Sequence, residues 1–312
     1  MSILSKFIRS IQARHGEKGR KAKPVPDEIH AGSNKSWQPA NAEIVVTGTR
    51  PYQIATFLGD KVIGQSIRDI GRFQEDAILE VTKFIGLHAG RKTFLDIGAN
   101  IGTHALFALQ NGFDRAVCIE PDPANFILLR INQILNEVDQ QCVNINAAAS
   151  VEAGELNFEL SETNFGDHRI RVGSSNEDGK YAERNRNIIK VKANTLDSLL
   201  DHVHVEPNEI GLAWIDTQGH EGHVLSGASR LIQANVPIVI EFWPYGLKRS
   251  GGYPLLRQFL ARQNRVLDIH QPLGDQPSLS VEELDQRFSQ WPSQESTTIS
   301  VHTDLLILPK GR

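Results

Sequence analysis

Phe94-Leu95-Asp96-Ile97-Gly98-Ala99-Asn100-Ile101-Gly102 is the stretch that decides the fold. An apolar strand over 93–97, interrupted only by Asp96, runs into a glycine-bearing turn that opens directly into a helical stretch over 102–110. Gly98 lets the backbone turn sharply and approach a ligand without a Cβ clash. Such a turn lies beyond the carboxyl end of a central strand, where open α/β sheets bind ligands. The spacing is Gly-x-x-x-Gly, and the dinucleotide fingerprint Gly-x-Gly-x-x-Gly is absent, which counts against a pyrophosphate cradle. Asp96 repels an anion and attracts a cation, so a nucleotide-like ligand without phosphates fits better.

Outward from this stretch the chain alternates strand and helix. Strands are expected at 116–120 and 142–147, with a helix at 123–135 between them, and this β-α-β-α-β order implies a parallel sheet with right-handed crossovers. Upstream, 44–47 and 53–57 read as short strands. One helical pattern runs from Ser66 to Ile85 through Ile67, Ile70, Phe73, Ile78 and Val81. Downstream, strands at 154–160 and 188–191 flank a polar loop containing Gly173, Ser174, Ser175, Asn176 and Gly179. Alternation returns with strands at 212–215 and 237–242 and helices at 224–233 and 253–262. Strands at 266–269 and 305–308 close the sheet, and an acidic helix near 281–288 is a surface insertion. The expected fold is α/β: a Rossmann-like seven-stranded, mostly parallel sheet with helices on both faces, inserted β-strands and an N-terminal extension.

A second acid follows the next strand, in Val117-Cys118-Ile119-Glu120-Pro121-Asp122. A carboxylate at Glu120 can accept both hydroxyl protons of a ribose, with charge assistance. Asp216 and Glu241 end the two strands beyond the switch in strand order, so both should face the same cleft.

Charge narrows the partners. The 312 residues carry a formal charge of −4, but residues 1–23 hold seven Lys/Arg and one acid, which leaves the remainder at −10. A body that acidic lacks the basic face a general nucleic-acid binder needs. Ile3, Leu4, Phe7, Ile8 and Ile11 fall at helical spacing between basic residues. They read as a tethered arm, with contact to an anionic membrane or a partner subunit as the other reading. Pro24, Pro26 and Gly32 mark a linker. No apolar run approaches the roughly 18–20 residues of a membrane span. The N-terminus shows no secretory pattern, and Cys118 and Cys142 sit in apolar stretches as reduced, buried thiols. A cytoplasmic location is expected.

The chain resembles the FkbM family of class I S-adenosylmethionine-dependent methyltransferases. The resemblance covers residues 66–243 and rests on FLDIGANIG (94–102), IEPDP (119–123), NTLDSLL (194–200), WIDTQGHE (214–221), Gly227-Ala228 and IVIEF (238–242). It implies a methyltransferase domain over 91–312, preceded by strands and a helix packing on it (43–90) and by the basic arm and linker (1–42). It further implies that Asp96, Gly98, Asn100 and Gly102 line the methionine part of S-adenosyl-L-methionine. Glu120 would hold the ribose, Pro121 and Asp122 would shape the adenine side, and Ala147 or Ala148 would border the adenine. The implied reaction is O-methylation of a hydroxyl on a sugar or another secondary metabolite, so the partner is a small-molecule or glycan acceptor. In relatives the region of Thr163–His168 carries an Asn and a Gly near the acceptor, which makes Asn164 and His168 substrate contacts, although an Asn-x-Gly turn also arises for local reasons.

The proton acceptor is sought among Asp216, His220 and Glu221. Desolvation would raise the pKa of a carboxylate base, and a histidine titrates near neutrality without help. Another reading gives Asp216 and Glu241 to a divalent cation that acidifies the acceptor hydroxyl. Two carboxylates do not specify a metal site, and no metal ligands are assigned. Glu241 is otherwise a substrate contact or a structural hydrogen-bonding group. His220-Glu221-Gly222-His223 spaces its histidines three apart, not four, which excludes a zinc-protease helix. An NAD(P)-dependent Rossmann oxidoreductase and a non-catalytic, methyltransferase-like binding protein are the alternatives.

Overall fold

The structure, a computed structural model, describes residues 43–309 apart from 50, 89, 173–178, 264 and 295–300. It begins with a hairpin, β1 (Ile44–Thr49) and β2 (Tyr52–Phe57), followed by α1 (Ile63–Ile70) and α2 (Glu75–Ile85). Next come β3 (Thr93–Ile97), α3 (Thr103–Gln110), β4 (Arg115–Ile119), α4 (Pro123–Leu135) and β5 (Cys142–Ile145). An insertion supplies β6 (Ala148–Ser150), β7 (Gly154–Leu160), β8 (Arg169–Ile170) and β9 (Asn187–Thr195). The chain continues through α5 (Leu196–His202), β10 (Ile210–Ile215), α6 (Glu221–Ser226), α7 (Ser229–Gln233) and β11 (Ile238–Phe242). It closes with α8 (Pro244–Ser250), α9 (Tyr253–Leu260), β12 (Arg265–Asp268), α10 (Val281–Gln294) and β13 (Thr303–Leu308).

The main sheet has seven strands in the order β12-β13-β11-β10-β3-β4-β5. Strands β5, β4, β3, β10 and β11 are parallel, and β13 runs antiparallel between β11 and β12. Both faces are covered. Phe94, Trp214 and Val239 pack on the side of α3 and α4, while Leu95, Ile97 and Ile215 pack against Leu196, Val224 and Leu256. Burial on both faces explains why these strands read as apolar runs, not alternating ones. Chain order reverses between β3 and β10, so the loops after β3, β4, β5 and β10 gather at one place above the sheet.

The opening hairpin docks on this core through amide side chains. Asn132 on α4 accepts from Ala55 N at 2.6 Å and donates to Ala55 O at 3.1 Å, completing the backbone pairing of β2 from a side chain.

Several local expectations change. The pattern over 66–85 is two helices, α1 and α2, broken at 71–74, where Gln74 adopts φ 57°. The helix expected over 224–233 is likewise two, α6 and α7. They break at Gly227, which passes so close to β6 that an added Cβ would stand 2.2 Å from Ser150 O. The strand expected to run to Ala147 stops at Ile145. Residues from Ala148 leave the main sheet to pair with β9 in a second sheet, ordered β6-β9-β7-β8. The insertion is therefore a four-stranded layer instead of two strands beside a loop. The helix expected over 281–288 extends through Val281–Gln294.

The basic amphipathic pattern near Ile3–Ile11, the linker and the polar loop over 173–178 lie outside the described residues. Both cysteines are buried and free. Among the described residues, no helix is long and apolar enough to cross a membrane.

Candidate functional site

The gathered loops enclose a cleft with an empty volume of about 760 Å³, including the part open to solvent. Its floor is the turn after β3. Gly98 has φ 87°, and an added Cβ would stand 1.8 Å from the backbone oxygen of Asp216. This contact welds the two central loops, which also share the Asp216 N to Ile97 O bond at 2.9 Å. Asn100 takes a left-handed conformation, φ 50°, and donates its backbone N–H to Glu120 Oε2 at 2.8 Å. Glu120 Oε1 accepts from Asp122 N at 2.7 Å. Two backbone amides thus fix this carboxylate at the cleft wall. Burial, helped by the charge of Asp122, raises its pKa to about 8.

Asp96 is 1% exposed, and neither of its carboxylate oxygens has a hydrogen-bond partner. Its nearest cation is His104 Nδ1 at 3.8 Å. Burial works to lower the pKa of His104, but Asp96 and then Asp216 and Asp304 outweigh it, and the ring titrates above its usual value. His104 Nε2 meets Gln74 Oε1 at 3.0 Å, which brings the break between α1 and α2 over the cleft.

On the far side, Asp216 and Gln218 line the cleft. Gln218, held at φ 53°, donates its amide to Asp216 Oδ1 at 2.7 Å and to Glu241 Oε2 at 3.0 Å. Burial raises the Asp216 pKa to about 6, and pushes that of Glu241 well above the carboxylate range, with Asp216 and Glu221 adding repulsion.

The sequence-selected residues sort into two groups. Gly98, Asn100, Glu120, Pro121, Ala147, His168, Asp216 and His220 line the cleft. Asp96, Gly102, Asp122, Asn164, Glu221 and Glu241 stand behind its wall. Gly102 packs against Leu129. Asp122 caps α4 by accepting from Ala124 N at 3.0 Å, and its other oxygen meets His168 Nδ1 at 2.9 Å. Asn164 Oδ1 accepts from Gly166 N at 3.1 Å, the local turn that this spacing favours.

Glu221 Oε1 collects Thr217 N, Thr217 Oγ1 and Gly219 N at 2.9–3.1 Å, which shapes the loop carrying Asp216 and Gln218. His220 Nε2 lies 3.0 Å from Ser150 Oγ, its ring stacks on His223, and burial lowers its pKa to about 3. It is neutral near pH 7 and a weak base. Gln218, Asn125 and Gln74 also line the cleft without having been singled out. Gln218 stood inside a quoted motif, whereas Gln74 gave no signal.

Among the described residues, no group of three or more His, Cys, Asp or Glu is arranged to hold a metal ion.

These raised carboxylate pKa values set a pH dependence. Unfolded carboxylates ionise near pH 4–4.5, whereas folded Glu120, Glu221 (raised by burial to about 7) and Glu241 keep protons longer. The native state then binds more protons than the unfolded one, so stability falls as pH rises. The thermal midpoint of the ligand-free protein is expected to drop from pH 6.5 to pH 8.5. A midpoint rising across that window contradicts the buried-carboxylate geometry.

Residues 96–267 match the family model described as the methyltransferase FkbM domain. Among solved structures, the chain is similar to a methyltransferase FkbM from Methylobacillus flagellatus KT, at 16% identity and TM-score 0.41 over 74% of this chain and 47% of that one. It thus spans about half the length of that protein. It is similar as well to geranyl diphosphate C-methyltransferase from Streptomyces coelicolor A3(2), solved with Mg2+, geranyl diphosphate and S-adenosyl-L-homocysteine, at 9% identity and TM-score 0.40 over 80% and 85% of the two chains. A third is the Pyrococcus abyssi tRNA (uracil-54, C5)-methyltransferase in complex with S-adenosyl-L-homocysteine, at 10% identity and TM-score 0.39 over 85% and 43%. No curated protein matches the sequence.

Proposed function

The chain belongs to the FkbM methyltransferase family, and from that premise we propose that it methylates a hydroxyl oxygen of a sugar or secondary metabolite, using S-adenosyl-L-methionine bound over β3 and β4. The observation that carries this reading is a cleft walled by Glu120, with Asp96 behind it holding two unpartnered oxygens, and with no dinucleotide glycine pattern. That donor set fits the group: carboxylate oxygens suit an ammonium and a ribose, and the close backbone approach at Gly98 shapes the floor. When bound, the cofactor supplies an electrophilic methyl group.

The chain's own residues do the rest. Glu120 accepts the ribose hydroxyls with the lone pairs its two backbone amides leave free. Asn100 holds Glu120 in place. Asp216 lines the cleft and ionises near pH 6, so it takes the acceptor's proton near neutral pH. Glu221 serves by shaping the Asp216 loop, and His220, uncharged and bonded to Ser150, forms wall instead of base. Much of the rate comes from aligning the hydroxyl oxygen, methyl carbon and sulfur. We read 91–312 as the methyltransferase domain, with 43–90 as an appendage closing one side of the cleft through Ile63, Phe73 and Gln74. The buried thiols support a reducing, cytoplasmic setting, and the net −10 of the body argues against a nucleic-acid acceptor.

Calorimetry with S-adenosyl-L-methionine tests this reading. Glu120→Ala is expected to weaken binding by about 1–3 kcal/mol, because it removes a hydrogen-bond acceptor from buried hydroxyls. NADH is expected not to bind. Unchanged affinity in the variant, or tight NADH binding, overturns the assignment.

A further inference from the structure

The cleft's acceptor half has a one-sided inventory of charge and hydrogen-bonding capacity. Carboxylates occupy it: Asp216 lines it and Glu241 stands directly behind Gln218. Among the described residues, no Lys or Arg side chain lines the cleft. The guanidinium next to the lining residue Ile170 is Arg169, and it is already committed. It donates to Glu159, Asp167 and Glu183 at 2.7–2.8 Å and stands 5.0 Å from the ring centroid of Trp243. Of the three lining histidines, His104 is held between Asp96 and Gln74, His168 is tied to Asp122, and burial keeps His220 neutral.

Unspent hydrogen-bonding atoms point the same way. Both amide hydrogens of Gln218 are consumed by Asp216 and Glu241, which orients its Oε1 away from them. That oxygen and Asp216 Oδ2 have no hydrogen-bond partner among the described residues. Asn125 is 1% exposed and lines the cleft. It spends Nδ2 on Phe165 O at 3.1 Å and leaves Oδ1 without any donor. All three free atoms are acceptors. A ligand satisfies them only by donating hydrogens, and an anionic group would be buried beside a carboxylate while His104, the lining side chain with a raised pKa, is already drawn to Asp96.

We propose that the methyl acceptor is a donor-rich molecule with no anionic group, a polyol such as a sugar, neutral or amine-bearing, whose hydroxyls or ammonium meet Asp216 and Gln218, and that phosphorylated and carboxylated acceptors are refused. This rests on the reading of the cleft as a methyl-transfer site. It adds a selection rule: the charge of the acceptor, set by what the cleft lacks, decides entry.

The test uses the full chain and an oligosaccharide extract split at pH 7.5 on an anion-exchange resin into retained (acidic) and unretained (neutral and amino) fractions. Cofactor binding is first measured by calorimetry. Labelled methyl groups from S-adenosyl-L-methionine are then followed into each fraction. In parallel, saturation-transfer NMR reads direct binding of each fraction to the protein, with and without S-adenosyl-L-homocysteine.

At least tenfold more label per hydroxyl, and stronger saturation transfer, is expected in the unretained fraction. A cation exchange of that fraction then separates neutral from amino acceptors. Gln218→Lys, which offsets one carboxylate, is expected to narrow the ratio at least threefold. Label or saturation transfer favouring the retained fraction overturns the inference while leaving methyl transfer intact. An unchanged ratio in Gln218→Lys removes charge as the cause. Absence of cofactor binding in calorimetry overturns the underlying reading instead, and this inference with it.

Discussion

Arg169→Ala is expected to destabilise the protein by about 3–5 kcal/mol, the usual cost of removing one partner from a buried ionic network. Arg169 is 3% exposed and sits at the centre of the insertion. It binds Glu159 Oε1 at 2.8 Å, Asp167 Oδ1 at 2.8 Å and Glu183 Oε1 at 2.7 Å. Glu159 and Glu183 are themselves 1% and 0% exposed, and Tyr245 donates to Glu183 from the segment after β11. The residue therefore ties the second sheet to the main one. Arg186 donates to Asp167, Arg171 lies 3.4 Å from Glu159 and Arg249 lies 3.8 Å from Glu183, but none of them hydrogen-bonds all three carboxylates as Arg169 does.

At about 2–4 °C per kcal/mol for a domain of this size, the thermal midpoint should fall by about 10 °C. Arg169→Lys should recover little of it, since one ammonium cannot reproduce a guanidinium that reaches three carboxylates in a fixed plane. Hydrogen exchange should accelerate first in β7, β8 and β9. A midpoint within about 2 °C of the parent would show that the network contributes specificity without stability.

Gly98→Ala carries the second large effect. The left-handed backbone costs an alanine about 1–2 kcal/mol. A methyl group 1.8 Å from Asp216 O must also force the β3 and β10 loops apart, at a further cost of about 1–3 kcal/mol. The same displacement breaks the registry between Glu120, held through Asn100, and Asp216, held through Ile97. Cofactor affinity and methyl transfer should fall together, along with a midpoint loss of several degrees. Retention of both affinity and midpoint would mean that the two loops do not approach each other as described.

Much of the fold was legible because a parallel sheet buried on both faces writes long apolar runs into the chain, and the runs of β3 and β4 each end in a turn that announces a helix. The end of the sheet where the cleft opens was legible for the same reason. Consecutive parallel strands are neighbours, so Asp96 and Glu120, at the ends of β3 and β4, had to meet. Legibility failed where a local pattern was overruled from a distance. Helical periodicity ran on past Gly227, but the chain breaks there into α6 and α7 where it passes close against Ser150 O. Alternation ran on to Ala147, but the second sheet captured the strand at Ala148. Asn164, Asp122 and Glu221 carried the right residue types, and their side chains turned to backbone amides that needed partners.

By itself, then, the sequence determined the alternation of strand and helix, the switch point and the two acids placed there, since periodicity and chain adjacency are local properties. Tertiary structure alone decided that Gln218 would bridge Asp216 to Glu241, that Arg169 would spend itself on three carboxylates, and that no Lys or Arg among the described residues would line the cleft. Those outcomes depend on which distant side chain arrives first at a buried charge, and pairing across 14 or 23 residues leaves no periodic trace in the chain.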